Sequence, residues 1–462
     1  MEKLFHSVIL FVLFLGLLFH GGIATYMKSQ DGSEEWGYVQ VRPKAHMFWW
    51  LYRSPYRVEN PSKPWPIILW LQGGPGASGV GVGNFEEFGP LDTLLKPRNS
   101  TWLKKADLLF VDNPVGTGYS FVEEDGLFVK TDVQAATDLT TLLIKIFNRD
   151  KKLQKSPLFI MAESYGGKYA VTLALSVFKA IKEKRLNLIL GGVALGNSWI
   201  SPEDYVFSWG PLLKDVSRID ENGLQKSNSI ALKIKQQLKD GKFNEATTSW
   251  GELENVISSS SNDVDFYNFL LDSGSVSATL SAMEPELFRE ISKKRYSNYL
   301  SSKRVRSSTP GLTGDLAELL DGPIKKKLRI VPKNVTWGEQ SNNVFAALST
   351  DFMKPRINEV DELLANGVNV TVYSGQVDLI CATKGTEAWI RKLKWKELQT
   401  FLGKERTPLY CGSDRETKAF YRSYKNLHFY WILKAGHFVP TDQPCVALDM
   451  VGAITGSPAA EK

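Results

Sequence analysis

Apolar residues follow two rhythms along this chain. Short apolar runs, "AHMFWWLYRS", "PWPIILWLQ", "DLLFVDNP", "PLFIMA" and "NLILGGVALGN", predict buried strands. Between and after them, in "TDVQAATDLTTLLIKIFNRD" and "KYAVTLALSVFKAIKE", apolar positions recur at helical spacing and predict amphipathic helices. Alternation of the two, from about Trp36 to Asn197, implies an α/β fold with a mostly parallel central sheet covered on both faces.

After "GNSWISP" the rhythm changes. Residues from about 203 to 330 are polar, rich in serine and lysine, and mostly helical in period, with no apolar run of strand type. This stretch reads as a helical cap inserted between a first core part, 25–202, and a second, 331–462. Within it, "SSKRVRSSTP" at 301–310 reads as a solvated loop. The α/β rhythm then resumes. "VFAALSTDFMKPRINEVDELLANG" predicts a helix, "VNVTVYSGQVD" a strand ending in Asp378, and "LHFYWILKAGH" a strand ending at His437.

The first residues break both rhythms. "MEKLFHSVILFVLFLGLLFHGGIATY" carries Lys3, an apolar run and then small residues, the layout of a secretory signal peptide over 1–24. Three N-x-S/T sequons, at Asn99, Asn334 and Asn369, fit that route and a secreted or lysosomal glycoprotein. No later run is long enough to span a bilayer, so no membrane association is expected after signal removal. Three cysteines, Cys381, Cys411 and Cys445, leave at least one thiol unpaired within the chain, and no zinc-ligand spacing occurs among them. Lys and Arg number 56 against 50 Asp and Glu, with no long block of like charge, which argues against a nucleic-acid partner.

The chemistry gathers at strand ends. "MAESYGGKYA" puts Ser164 at a sharp turn from strand to helix, the geometry of a nucleophile elbow, although Ala162 stands where glycine is usual. A serine nucleophile needs a base, and the base needs an orienting anion. His6 and His20 lie in the signal segment, while His46 and His428 lie in strands and read as packed or surface residues. His437 and Asp378 each follow a strand, and the order Ser, Asp, His is that of an α/β-hydrolase. "WLQGGPGASG" offers the backbone N–H groups of Gly73 and Gly74 to a developing oxyanion. A phosphate loop would need a Lys-Ser/Thr after the glycines, which is absent.

"WLQGGPGAS", "FVDNPVGTGYSF", "ESYGGKY", "GNSWISP", "DFMKP", "YSGQVDLIC" and "KAGHFVP" together resemble the serine carboxypeptidases, over nearly the whole mature chain. Gln72 in the first of these and "FYWILKAGH" look most like the retinoid-inducible branch. The resemblance implies removal of single residues from the C-termini of peptides or proteins through an acyl-enzyme, without a cofactor or metal. It implies Ser164 as nucleophile, His437 as general base and acid, Asp378 as its anion, and an oxyanion hole from the N–H groups of Gly74 and Tyr165. It further implies that Gln72, Gly73, Glu163 and Glu87 hold the substrate's terminal carboxylate, Gln72 replacing the family's asparagine. Cys381 matches a pocket cysteine of some members, whereas Ala77 and Phe438 replace the usual cysteine and methionine. Two glutamates in one buried site cannot both ionise cheaply, so peptide binding is expected to favour acidic pH. An esterase or acyltransferase on the same scaffold, and a catalytically silent binding glycoprotein, are the rival readings. Oligomeric state is open, a homodimer included.

Overall fold

The apolar runs become the middle of one twelve-stranded sheet. The computed structural model describes residues 24–60, 62–273 and 315–458, so residues 1–23 of the expected signal peptide and the 301–310 loop lie outside the described residues. In chain order the strands are β1 (Ala24–Lys28), β2 (Glu34–Arg42), β3 (Ala45–Tyr52), β4 (Ile67–Leu71), β5 (Asp107–Val111) and β6 (Phe121–Val122). They continue as β7 (Pro157–Glu163), β8 (Ile189–Gly196), β9 (Val370–Gly375), β10 (Thr407–Cys411), β11 (Asp414–Tyr424) and β12 (Leu427–Ile432). The spatial order is β1-β2-β3-β5-β4-β7-β8-β9-β12-β11-β10, with β6 paired to β3.

Neighbours from β5 through β4, β7, β8 and β9 to β12 are parallel, and the flanks on either side are antiparallel. The central parallel strands read as unbroken apolar runs because both faces are covered: every residue of β4, β5 and β9 is buried. The longer helices are α1 (Asp132–Phe147), α2 (Gly166–Lys182), α3 (Pro202–Asp215), α4 (Glu221–Lys239), α5 (Phe243–Ser261), α6 (Ile357–Ala365), α7 (Thr383–Ile390) and α8 (Pro444–Thr455). Leu139 of α1, Leu173 of α2, Trp209 of α3, Trp250 of α5 and Trp389 of α7 pack into the core on one face. The other face is covered by the helical segment Gly79–Phe88, the turns near Leu316–Leu328, and α8. This is the α/β-hydrolase fold.

Three details depart from the predicted elements. The expected helix over 344–367 is broken into Asn342–Ala347, Ser349–Phe352 and α6. Pro355 causes the second break: the residue before a proline is pushed out of the helical region, and the Arg356 N–H then bonds the Ile200 carbonyl instead of a helical one. The strand predicted to end at His437 stops at Ile432, leaving the histidine on a loop. The flanking strands β1, β10 and β11 are exposed or half-buried along nearly their whole length, so no apolar rhythm announces them. Cys411 of β10 and Cys445 of α8 form a disulfide, and Cys381 is the buried free thiol.

Candidate active site

Strand β7 delivers its apolar run to Glu163, and α2 begins at Gly166. Ser164 lies between them with φ of +61°, a left-handed conformation that a side chain adopts only under constraint. Two hydrogen bonds supply it: the Ser164 N–H donates to the Gly196 carbonyl (3.0 Å), and the Ser164 carbonyl accepts from the Trp199 N–H (2.9 Å). The side chain stands partly open while Glu163 and Tyr165 beside it are buried. The loop after β4 closes on the same point, for a Cβ on Gly73 would fall 2.5 Å from that of Ser164.

Asp378 and His437 come from the loops after β9 and β12, parallel neighbours, which brings the two side chains together. Both are fully buried, and His437 Nδ1 lies 2.8 Å from Asp378 Oδ2. A carboxylate can only accept, so Nδ1 carries the proton and Nε2 of the neutral ring presents its lone pair. Nε2 has no hydrogen-bond partner among the described residues, Ser164 included. Asp378 also accepts from Asn197 Nδ2 and from the Cys381 N–H (3.3 Å). The His437 N–H donates to the Tyr267 carbonyl (2.8 Å), and the Leu379 and Ile380 N–H groups donate to the Phe266 carbonyl (3.1 and 2.9 Å). The loops carrying acid and base are thus pinned by one segment that follows α5.

Beside the elbow lies a buried acid cluster. Gln72 Nε2 donates to Glu87 Oε1 and to Glu163 Oε1, both at 3.1 Å, while Trp70 Nε1 donates to Gln72 Oε1 at 2.6 Å. All three of Gln72, Glu87 and Glu163 are 2% exposed or less. The two carboxyl groups thus flank one amide donor, and the Oε2 atom of each has no hydrogen-bond partner among the described residues. Burial pushes the Glu87 carboxyl up to about 8, and burial together with the Glu87 charge pushes Glu163 well above the usual carboxylate range.

A left-handed serine at a strand–helix turn, a buried Asp–His pair and a carboxyl cluster therefore meet at the C-terminal edge of one parallel sheet. The profile of the serine carboxypeptidases matches residues 26–456. The chain belongs to that family. Serine carboxypeptidase-like 51 of Arabidopsis thaliana is 64% identical over 434 residues, covering 93% of this chain and 94% of its own. The retinoid-inducible serine carboxypeptidase of Homo sapiens is 46% identical over 450 residues, covering 97% and 96%. Among solved structures, Kex1Δp, a prohormone-processing carboxypeptidase from Saccharomyces cerevisiae, has the same fold, with a TM-score of 0.73 at 22% identity over 92% of this chain and 91% of that one.

The remaining residues singled out in the sequence of this serine carboxypeptidase family member lie in several places. Cys381 lines an aromatic cavity with Gly74, Ser164, Tyr165, Trp199 and Phe352. Phe438 is buried against His437 and Tyr267, at ring-centroid distances of 5.4 and 6.1 Å. The three sequon asparagines are exposed. His428 lies within 2.9 Å of both Tyr421 and Ser423 hydroxyls, and His46 pairs with Glu123 at the surface. Sequence reasoning gave no role to Asn197, nor to a buried ionic group behind the elbow. There the Tyr165 hydroxyl donates to Asp132 (2.7 Å), Arg356 binds Asp132 and Asp351 (both 2.9 Å), and Lys168 donates to the backbone carbonyls of Asp351 and Phe352. The motifs "ESYGGKY" and "DFMKP" contain Lys168 and Asp351, and a charged residue inside each motif was the available signal.

Proposed function

We propose that this protein is a serine-type carboxypeptidase in which Ser164, His437 and Asp378 act as one unit. Ser164 attacks the scissile carbonyl and passes its proton to His437 Nε2, while Asp378 holds the ring and offsets its charge. The N–H groups of Gly74 and Tyr165 bind the oxyanion. His437 then protonates the leaving amine, and a water molecule, activated by the same nitrogen, releases the acyl group. The leaving residue's carboxylate is received by Gln72, the Gly73 N–H, and the Glu163–Glu87 pair, whose protonated form donates to it.

The observation that carries this reading is the buried carboxyl cluster next to the elbow. A plain esterase has no use for two acids held neutral by burial at the substrate site, whereas a carboxylate ligand needs a donor there. The aromatic cavity borders Ser164 and Tyr165 but not Glu163 or Glu87, so it suits an apolar side chain on the acyl side. Among the described residues of the expected cap, Trp250, Glu254, Phe266 and Tyr267 border this cavity, which supports a cap role for α3 through α5 and the segment after them. The sequence of the first 24 residues, the exposed sequons and the Cys411–Cys445 disulfide support a secretory route and a glycoprotein, secreted or lysosomal. No helix among the described residues is long and apolar enough to cross a membrane.

The test pairs a fluorophosphonate label with matched substrates. Ser164 should be the labelled residue, and Ser164→Ala should lower kcat by roughly 10⁴ or more. A peptide with a free C-terminus should be cleaved far better than its C-terminal amide. Equal rates on the two, or faster turnover of simple esters with no peptide cleavage, would overturn the proposal in favour of an esterase.

A further inference from the structure

Tyr373 is a buried polar residue to which the mechanism above gives no role. Its place follows from strand register: Glu163 of β7 pairs with Gly196 of β8, and Gly196 pairs with Tyr373 of β9. Residues paired across strands point to the same face of a sheet. The middle member of this row has no side chain. A Cβ at Gly196 would fall 2.0 Å from Tyr373 Cζ and 2.2 Å from its Oη, so the tip of the phenol lies over Gly196 and faces Glu163. Gly196 is therefore the gap through which a residue of β9 approaches the carboxyl cluster of β7.

Tyr373 is 1% exposed, and its hydroxyl has no hydrogen-bond partner among the described residues. A buried hydroxyl left unpaired is destabilising, and phenylalanine would fill the same space without that cost. After burial itself, the charges that hold its phenol protonated are Glu163 and then Glu87. Around these lie Glu86 and Arg98, next to Glu87, and Asp378, next to Glu163. The hydroxyl is thus a donor without an acceptor, directed at a site whose negative charge has few donors.

We propose that Tyr373 is a positioning residue of the carboxylate site: its phenol is the donor that supports negative charge on the Glu163–Glu87 pair and thereby sets the pH at which the pair stops receiving a substrate carboxylate. The proposal rests on the reading of that pair as the carboxylate site. While the pair keeps its protons, the phenol is idle. When a proton leaves, donation from Tyr373 stabilises the anion, which makes the loss easier than burial alone would allow.

Tyr373→Phe removes the donor and keeps the ring, and labelling of Ser164 reports an intact elbow in the variant. KM is followed from pH 5 to 9 for a peptide with a free C-terminus and for an ester substrate that has no carboxylate. Without the phenol the anion is less stable, so the rise in peptide KM should move to higher pH by about half a unit or more, while the ester profile keeps its position. An unmoved or downward-shifted peptide profile, or an equal displacement with the ester, overturns the inference. Failure of the underlying reading looks different: the parent itself would then cleave peptide and amide alike with no pH-dependent KM, and the inference would fall with it.

Discussion

Burial turns Glu163 and Glu87 from ordinary carboxylates into proton donors, and the consequence is visible in binding and in stability. Peptide KM should stay low at acidic pH and climb as pH rises through about 8, where Glu87 gives up its proton. Glu163→Gln keeps a donor and removes one titration, so its peptide KM should climb less steeply between pH 6 and 9; an equally steep climb would show that Glu163 is not the sensor. Stability follows the same proton. The native Glu87 holds it to about 8, whereas an unfolded chain releases it near 4.5, so the native state binds the extra proton between those values and stability falls as pH rises through that window. Glu87→Gln should flatten the decline in Tm from pH 5 to 8, a quantity that needs no assay of activity. At this scale the sequence was informative where chemistry is local. Glu163 next to a serine, and His437 and Asp378 after apolar runs, were all legible. Glu87 was visible only through family resemblance, because an acid in "NFEEFGP" has no local feature that marks its burial. Asn197 and Tyr373 were invisible, since their meaning comes from partners on neighbouring strands.

Helices α1 and α2 and the "DFMKP" turn are joined by charge as well as by packing. Asp132, at the first turn of α1, faces Lys168 in the first turn of α2, and Arg356, at the entry to α6, bridges Asp132 and Asp351. Burial pulls the Lys168 ammonium down to about 8, although Asp132 and Asp351 hold it up. Lys168→Met leaves buried Asp132 with Arg356 as its remaining cation, while Asp351 keeps Arg356 and Lys354, and should cost roughly 3–5 kcal/mol in urea denaturation. Adding Asp132→Asn should recover part of that loss, and strict additivity of the two changes would deny that the residues act together. The Tyr165 ring, held by Asp132 and stacked on Phe352, ties this group to the proposed oxyanion hole and to the aromatic cavity. Periodicity marked α1 and α2 well, yet overran the 353–356 break, because apolar spacing continues across Pro355 while the backbone cannot.

Across the whole molecule, the parallel centre gathers loops after β4, β7, β8, β9 and β12 at one edge, and each contributes a polar group to the site. That architecture was legible from alternating apolar runs; the antiparallel flanks were not, since half-exposed strands carry a weak rhythm. The segment after α5 binds this edge from above. The amides of Leu379, Ile380 and His437 donate to Phe266 and Tyr267, and the Phe269 N–H donates to the Val377 carbonyl at 2.9 Å. Hydrogen exchange should therefore find those three amides opening together with residues 264–271, as one unit. Exchange of the Asp378 and His437 loops at rates independent of that segment would separate them.

That pinning limits how freely the fold can be recombined. A lid that only covers a site can be traded between relatives like a loop, with the scaffold indifferent to the exchange. Here the tail of the proposed cap is also masonry for the Asp378 and His437 loops beneath it. A chimera that swaps α3 through α5 but keeps residues 263–273 retains every backbone bond to the Asp378 and His437 loops. One that swaps the tail as well must supply the same two carbonyls and the Phe269 N–H, or it inherits a new specificity on loops that have lost their anchor.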